Sequence, residues 1–298
     1  MAFRPTHQTE CCAGNVHRIM PNYVSRMWMK GRDNELVAAM YGPSEIDFTT
    51  SEGKVVRVSE ETAYPFDGEI LFKFATEDAA QMNFTYRIPS WAEGAKVYVN
   101  GRKLSDDMAQ AGKYHTLSRA FRNGDKVVVK LPMKTVLETI DKGSNRYDGA
   151  IKSYIAGTGT VEPTSVNASA GTSGSADLER EDDVQGVYVR RGPLLYAFAI
   201  PQNQTEDTLV YENMNGKVPG DPSFKCWSFE PAGDWNYAMA VSEDMELKAK
   251  VDKNYSGYPF ESGAAAVSID VPVRSIEWEL VEGRFTPPVP SPENVRPI

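Results

Sequence analysis

Apolar and polar residues alternate along Met82–Ile88, and this pattern constrains the fold more than any other feature of the sequence. The even-numbered positions are apolar or aromatic, whereas the odd-numbered positions between them are polar. Successive side chains of a β-strand point to opposite faces of the sheet. The alternation therefore predicts a strand with one buried face and one solvated face.

Several other short segments have the composition of strands and are separated by Gly, Pro, Ser, Asn and Asp. They are Leu36–Tyr41, Lys54–Thr62, Glu69–Thr76, Lys96–Val99 and Lys126–Leu131. Asn100-Gly101 is the residue pair favoured in a type I′ hairpin turn, and Asn123-Gly124 is a second such pair. Short strands at this spacing, with no helical periodicity between them, predict a β-sandwich. We expect strands to dominate from about Leu36 to Phe285.

Residues 15–29 have a different periodicity, which predicts a helix. Asn15 occupies the position of an N-cap, and Pro21 predicts a kink or a split into two short helices. The polar residues 31–34 are expected to end this helix. Its apolar residues follow the spacing of a single helix face. They are Val16, Ile19, Met20, Tyr23, Val24, Met27 and Trp28.

Two adjacent cysteines, Cys11 and Cys12, precede this predicted helix. The partial positive charge of a helix N-terminus favours the thiolate form of a nearby cysteine. The pair is open to three interpretations: packing as small hydrophobic residues, a strained vicinal disulfide, or a zinc site. His7, His17 and Glu10 are the nearest further ligands in sequence. Two cysteines cannot complete a tetrahedral zinc site, so chemistry alone favours packing.

The segment CCAGNVHR, followed by MPNYVSRMWM, resembles the double-cysteine motif of the glycoside hydrolase family 127 group of β-L-arabinofuranosidases. In that motif the cysteine pair is followed by a small residue or proline, then Asn, then Arg. Ala13, Gly14, Asn15 and Arg18 occupy these positions here. RIPSWAEGAKVYVNG (87–101), GDKVVVKLPM (124–133) and the RGPLLY part of 186–201 also resemble the family, in the family's order. The nearly all-apolar segment Leu194–Ile200 is predicted to be a strand.

The resemblance implies an (α/α)6 barrel followed by β-sandwich domains, and a retaining mechanism with a zinc-bound cysteine nucleophile. By position, Cys11 would be the nucleophile and a zinc ligand, and Cys12 a second zinc ligand. In the family, the other zinc ligands and the acid/base glutamate lie upstream of this motif. We therefore expect the chain to carry an incomplete zinc site and to be catalytically inactive by itself.

The predicted fold is mainly β, with an N-terminal helix remnant of an (α/α)6 barrel followed by two β-sandwich domains. The predicted parts are a barrel remnant (1–34), a first sandwich (35–140), a flexible insertion (141–185) and a second sandwich with a proline-rich tail (186–298). Within the insertion, residues 157–183 have few apolar side chains to offset the entropy of ordering. We expect them to be mobile and sensitive to proteases.

Composition excludes some functions. The formal net charge of −9 argues against nucleic acid and anionic membrane surfaces as partners. No apolar stretch is long enough to span a membrane, and residues 1–10 lack the apolar region of a signal peptide. Three cysteines are too few for a disulfide framework. A carbohydrate substrate is compatible with these properties, while the oligomeric state and the compartment are left open.

A non-catalytic β-sandwich module, which binds carbohydrate or packs against a catalytic domain, is the alternative function. The aromatic segment 224–239 could stack against sugar rings, although core packing is the favoured interpretation for it and for Trp91. Cys226 is then interpreted as a buried structural thiol. The predicted helix at 15–29, headed by two cysteines, favours the hydrolase over the free-standing module.

Overall fold

The computed structural model describes residues 2–3, 18–139, 187–207, 211–213, 216–218, 226–242, 245–256 and 265–276. This described part of the chain is mainly β, as the sequence predicts, and its α-helical residues are 18–24, here called α1. Asp106–Ala109 form a single 3₁₀ turn. The insertion predicted to be mobile, residues 157–183, lies outside the described residues.

The first eleven strands include those of the predicted first sandwich. They are β1 (Ala2–Phe3), β2 (Trp28–Lys30), β3 (Glu35–Ala38), β4 (Ser44–Thr49), β5 (Val55–Thr62), β6 (Glu69–Ala75), β7 (Ala80–Ile88), β8 (Lys96–Val99), β9 (Arg102–Lys103), β10 (Lys113–Phe121) and β11 (Lys126–Lys130).

Strands β2 to β11 form two sheets. One has four strands in the order β10-β7-β3-β2, and the other has six in the order β4-β5-β6-β11-β8-β9. Within these two sheets, β3 and β7 pair in parallel and every other pair is antiparallel. The parallel pair joins strands that are separated in sequence by β4, β5 and β6, which belong to the opposite sheet.

A single apolar core lies between the two sheets. The buried face predicted for Met82–Ile88 is confirmed, because the even-numbered side chains are at most 1% exposed. On the other face Arg87 is exposed, whereas Thr85 is buried. Phe84 of β7 packs edge-on against Phe72 and Phe74 of β6, with ring centroids 5.0 and 5.1 Å apart. Aromatic pairs of this geometry add to the free energy gained from burying their surface. The two sheets therefore form a sandwich, as predicted.

The predicted hairpin turn at Asn100-Gly101 is confirmed. Both residues have positive φ, 50° and 82°, as a type I′ turn requires. The turn joins β8 to β9, where Val99 pairs with Arg102.

The predicted helix at 15–29 is wrong at its C-terminal end. Residues 25–27 form a turn, and Trp28–Lys30 form a strand. Trp28 pairs with Ala38 in β3, so the polar residues 31–34 form a hairpin loop and do not end a helix. Sheet hydrogen bonds and the burial of Met27, which is 5% exposed, outweigh helical periodicity here.

Pro21 does not split the helix. Residues 18–24 are continuously helical, and the Ser25 N–H donates to the Pro21 carbonyl at 2.9 Å. Within α1, most of the predicted apolar face is exposed in the described structure. Ile19, Met20 and Val24 are 66%, 62% and 59% exposed.

Several strands were missed by the sequence reasoning, two of them long strands of the sandwich, and one strand was predicted too long. The two long strands are β4, at one edge of the six-stranded sheet, and β10, which pairs with β7 over nine residues. The apolar segment Leu194–Ile200 was predicted as a strand, but only Leu194–Leu195 are extended and paired. Leu195, Phe198 and Ile200 are exposed, so apolar composition alone did not produce a buried strand.

The remaining strands form small sheets. They are β12 (Thr135–Thr139), β13 (Val187–Arg191), β14 (Leu194–Leu195), β15 (Gln202–Asp207), β16 (Tyr211–Asn213), β17 (Gly216–Val218), β18 (Cys226–Pro231), β19 (Tyr237–Met239), β20 (Ala249–Val251), β21 (Val267–Ile269) and β22 (Val273–Ser275). Their orders are β12-β13-β14, β1-β18-β15, β16-β17, β19-β22 and β20-β21. The predicted domain limits stay a prediction.

The later strands contact the first sandwich. The Arg191 guanidinium donates to the Phe66 carbonyl at 3.0 Å, and the Phe66 ring meets Tyr255 edge-on at 5.5 Å. Gly192 has φ of 56° and lies against Met133 and Trp91, which leaves no room for a Cβ atom. The Arg-Gly-Pro turn is therefore fitted closely to the sandwich. Trp91 packs against the core, as the favoured interpretation held.

Candidate functional site

The cysteine pair that the sequence singles out, Cys11 and Cys12, lies outside the described residues. Its predicted neighbours His7, His17 and Glu10 do so as well. The nucleophile and the zinc ligands thus stay predictions. Among the described residues, no group of three or more His, Cys, Asp or Glu side chains could hold a metal ion.

Helix α1 is the first described element after the cysteine pair, and Tyr23 attaches it to the sandwich. The Tyr23 hydroxyl donates to the Tyr41 carbonyl at 2.7 Å. The other hydrogen bonds of this helix in the described structure are local, such as the one that the Arg26 guanidinium donates to the Asn22 side chain at 2.6 Å. Tyr23 therefore fixes the position of α1 against the loop that follows β3.

The Tyr41–Gly42 peptide group is bound at both of its ends. Its carbonyl accepts from Tyr23, and its N–H, which belongs to Gly42, donates to Glu60 Oε1 at 2.9 Å. Gly42 is buried, and Glu60 is only 2% exposed. Glu60 is thus joined to α1 through a single peptide group.

Glu60 is a buried carboxyl group for which the described structure shows no ion pair. Burial raises the pKa of Glu60 from its ordinary value of 4.5 to about 7, and the hydrogen bonds from Gly42 and Ser44 offset this only in part. The group can therefore gain or lose a proton near neutral pH. Its charge also raises the pKa of Tyr23, although burial is the larger cause there.

Ser44 can satisfy Glu60 in either protonation state. Its Oγ lies 3.4 Å from Glu60 Oε2 and 3.0 Å from the Gly42 carbonyl, and it accepts a hydrogen bond from Trp28 Nε1 at 3.0 Å. With Glu60 ionised, the Ser44 hydroxyl donates either to Glu60 Oε2 or to the Gly42 carbonyl oxygen. With Glu60 protonated, the acid donates to Ser44, which donates to Gly42. The protonated state thus pairs both Glu60 Oε2 and the Gly42 carbonyl, whereas in the ionised state Ser44 has one proton for these two acceptors.

The Tyr41 side chain connects the same loop to β7. Its hydroxyl donates to the Arg87 carbonyl and accepts from the Arg87 N–H at 3.1 Å. Its ring packs edge-on against Tyr64, with centroids 5.8 Å apart. Burial raises the pKa of Tyr64 to about 12, so the phenol stays neutral at physiological pH. We call Tyr23, Tyr41, Ser44, Glu60 and Arg87 the helix seat.

Sequence reasoning missed the helix seat, although one signal was available. Val56, Val58 and Glu60 occupy alternate positions of β5, and the two valines are fully buried. The period of two thus places the Glu60 side chain on the core face. A carboxyl group on that face requires hydrogen-bond donors, which here come from residues distant in sequence.

Comparison with known proteins identifies the sandwich. Residues 35–133 match the family model described as beta-L-arabinofuranosidase, GH127 middle domain. This part of the chain is thus similar to the middle domain of GH127 proteins. The match begins at the first residue of β3 and includes every residue of the helix seat except Tyr23. The predicted resemblance is therefore confirmed by residues well separated from the cysteine motif.

Two solved structures resemble the chain as a whole. A GH127 beta-L-arabinofuranosidase from Geobacillus stearothermophilus T6 is 19% identical, with a TM-score of 0.52 over 97% of this chain and 33% of that one. A protein described as a glycoside hydrolase is 17% identical, with a TM-score of 0.55 over 97% of this chain and 36% of that one. No curated protein sequence matches. The chain spans about a third of these structures, and the likeness shows a shared fold.

Beyond the GH127 middle domain, a cavity of about 290 Å³ lies beside β19, β21 and β22. Its polar side chains are Asp234 and Tyr237. The rest of its lining is apolar: Phe198, Ala199, Ile200, Pro201, Ile269, Val271 and Val273. This volume is at the lower limit for a small-molecule site, and the Tyr237 ring and the Asp234 carboxylate are its candidate polar contacts for a ligand.

The aromatic segment 224–239 is only partly buried in its described portion. Trp227, Phe229, Trp235 and Tyr237 have intermediate exposure, and core packing stays the favoured interpretation for them. The side chain of Cys226 lies outside the description, and its predicted structural role stays a prediction. No described helix is long and apolar enough to cross a lipid bilayer.

Proposed function

We propose that the chain is part of a retaining glycoside hydrolase that acts on non-reducing terminal β-L-arabinofuranosides or a related glycoside. The observation that carries this proposal is the GH127 middle domain at residues 35–133. It follows the double-cysteine segment directly, and Tyr23 attaches the intervening helix to it. Two independent parts of the sequence thus support the same family of activities.

In this proposal Cys11 is the nucleophile. Its sulfur attacks the anomeric carbon, a C–S bond forms, and the C–O bond to the leaving group breaks with inversion. A carboxylic acid donates a proton to the leaving oxygen. The same group, as a carboxylate, then takes a proton from water, which attacks the anomeric carbon and displaces the sulfur with a second inversion. We place this acid outside residues 1–298, because the family's acid/base glutamate lies upstream of the motif.

Cys11 and Cys12 are the residues that would hold zinc. Thiolates are preferred zinc ligands, so the donor chemistry fits, although two cysteines supply half of a tetrahedral shell. Bound zinc would stabilise the thiolate form of Cys11 at neutral pH. We expect zinc binding by residues 1–298 to be weak and readily reversed by a chelator.

Zinc binding by the purified chain tests this proposal directly. We expect the Cys11→Ala and Cys12→Ala variants to lose zinc in a competition assay with a chromogenic chelator. Cys226→Ala is the matched control, because it removes a thiol outside the motif. Zinc affinity that is unchanged in the double variant Cys11→Ala/Cys12→Ala would refute the assignment of the ligands.

A carbohydrate-binding module is the second candidate, and the cavity with Asp234 and Tyr237 favours it. Calorimetric titration of the chain with L-arabinose and with a β-L-arabinofuranoside tests this function. Binding that Tyr237→Ala abolishes and that Tyr114→Ala preserves would support it, since Tyr114 is exposed on β10. An absence of binding at millimolar sugar would reject it.

A further inference from the structure

Helix α1 has little apolar contact to hold it in place within the described structure. Ile19, Met20 and Val24 are more than half exposed. Tyr23 is partly buried and makes the hydrogen bond that connects the helix to the Tyr41 carbonyl. That carbonyl is therefore the point at which a side chain of α1 is hydrogen-bonded to the sandwich.

The Tyr41–Gly42 peptide group needs an acceptor for its N–H. Gly42 is buried and packs against Met27, whose Cε lies 3.0 Å from the position a Cβ on Gly42 would occupy. Glu60 Oε1 supplies the acceptor at 2.9 Å. Without it, a buried N–H would be unpaired, and rotation of the peptide group toward another acceptor would move the carbonyl away from Tyr23.

The backbone of Met27 also holds this loop. Its carbonyl accepts from the Ala39 N–H at 2.9 Å and from the Met40 N–H at 3.3 Å. These two bonds connect the loop to the turn that follows α1, not to α1 itself. The Tyr23 and Glu60 bonds together therefore form the connection between the helix and the core strand β5.

We propose that Glu60 is a positioning residue for the cysteine-bearing segment. Glu60 orients the Tyr41–Gly42 peptide group, the Tyr41 carbonyl receives the Tyr23 hydroxyl, and the helix that follows Cys11 and Cys12 in sequence is thereby fixed on the sandwich. The role given to the two cysteines rests on the proposed function. The connection from Glu60 to Tyr23 does not.

Hydrogen–deuterium exchange in the unmodified chain and its variants tests the connection. The reporters are the amides of Ser25, Arg26 and Met27, which donate to carbonyls in and next to α1. We expect Glu60→Leu and Tyr23→Phe each to raise their exchange rates roughly threefold to tenfold, the factor for one lost hydrogen bond. Glu60→Gln should restore near-native rates, because its amide oxygen can still accept from Gly42.

Val58→Ala and Tyr114→Phe are the matched controls. Val58 is buried two residues before Glu60 on the same face of β5, so its truncation weakens the core without touching the peptide group. We expect Val58→Ala to raise exchange in the paired strands β7 and β10 at least as much as in the reporters. Tyr114→Phe removes an exposed hydroxyl and should leave the reporters unchanged.

The double variant Glu60→Leu/Tyr23→Phe tests whether the Glu60 and Tyr23 hydrogen bonds form a single connection. Both changes break one connection, so the double variant should exchange no faster than the faster single variant. If the increase in exchange rate in the double variant equals the product of the two single increases, the two bonds are independent and the proposal is overturned. A Glu60→Gln variant that exchanges as fast as Glu60→Leu would also overturn it. Zinc binding is measured separately, so failure of the cysteine assignment would leave this result intact.

Discussion

Tyr23 and Glu60 bind opposite ends of the Tyr41–Gly42 peptide group, one at its carbonyl and the other at its N–H. A carboxylate that accepts from the N–H polarises the peptide group, and this strengthens its carbonyl as an acceptor. The charge on a core strand thus influences a hydrogen bond on the neighbouring helix. This influence needs few residues, because the planar Tyr41–Gly42 peptide group lies directly between the two side chains.

The first prediction concerns pH. The pKa of Glu60 is raised in the folded protein to about 7, so the folded state holds this proton more tightly than the unfolded state. Its contribution to stability is therefore complete below about pH 4.5 and is lost as pH rises through 7. We expect the free energy of unfolding to fall by roughly 2–3 kcal/mol between pH 5 and pH 8 from this group.

Urea unfolding of the unmodified chain and of Glu60→Gln at these two pH values measures that contribution. Gln cannot ionise, so the variant should lose less stability than the unmodified chain over the same interval. Glu61→Gln is the control, because Glu61 is the exposed neighbour paired with Lys73. Parallel pH profiles for the unmodified chain and Glu60→Gln would contradict the prediction.

The second prediction concerns catalysis. We expect residues 1–298 alone not to hydrolyse a chromogenic β-L-arabinofuranoside, because nucleophile, zinc shell and acid act as a unit. Joined to an upstream barrel that supplies the missing groups, the chain should be active, and Cys11→Ala should abolish that activity. Hydrolysis by residues 1–298 that Cys11→Ala abolishes would mean that the acid and ligands lie within this sequence.

The third prediction concerns the Arg-Gly-Pro turn. A Cβ at Gly192 would lie 2.7 Å from Met133 Cε and 3.3 Å from Trp91, and the φ of 56° is itself unfavourable for alanine. Gly53 has φ of 79° and nothing within 4 Å of such a Cβ. We expect Gly53→Ala to lower the free energy of unfolding by about 1 kcal/mol. We expect Gly192→Ala to lower it by about 1–2 kcal/mol more than that. Chemical denaturation compares the two, and equal losses would show that the contact is unimportant.

The fourth prediction concerns Asp125, which is 8% exposed. Burial acts to raise its pKa, but hydrogen bonds from the Arg122 N–H at 3.0 Å and from Asn100 at 2.8 Å, with the charge of Arg119, hold the pKa below its ordinary value. We expect Asp125→Ala to lower the free energy of unfolding by about 2 kcal/mol. Asp106→Ala, at an exposed ion pair with Lys103, should have little effect.

The sign for Asp125 is opposite to that for Glu60. Its stabilising contribution is present above the ordinary pKa of 3.8 and is lost as pH falls through the lower folded value. Acid unfolding of the chain should therefore begin at a higher pH in Asp125→Asn than in the unmodified protein. If the pH midpoint of acid unfolding is the same in Asp125→Asn as in the unmodified protein, the turn at residues 122–125 is held by its other contacts.

Local pattern predicted the sandwich well where one face of a strand is buried. Met82–Ile88 and the Asn100-Gly101 turn depend on neighbouring residues alone, and both were predicted correctly. The helix at 15–29 was extended too far, because Met27 and Trp28 fit a helical period while their burial depends on pairing with β3. Tertiary contacts decide such ambiguous apolar residues.

The candidate site was likewise predicted only in part. Cys11 and Cys12 were found through a local motif, whose structural context lies outside the described residues. The helix seat was not found, because Tyr23, Tyr41, Glu60 and Arg87 come from separate elements and form no motif. Only the parity of Glu60 with Val56 and Val58 was visible in the sequence.

The parallel pairing of β3 with β7 has a consequence for biosynthesis. Leu36 can pair with Phe84 only after β4, β5 and β6, which belong to the opposite sheet, have been made. The helix that Tyr23 anchors leaves the ribosome long before Glu60 and Arg87, which complete its seat. The segment that follows the cysteine pair is therefore translated before the strands that complete its seat, and it can dock fully only after Arg87 has emerged.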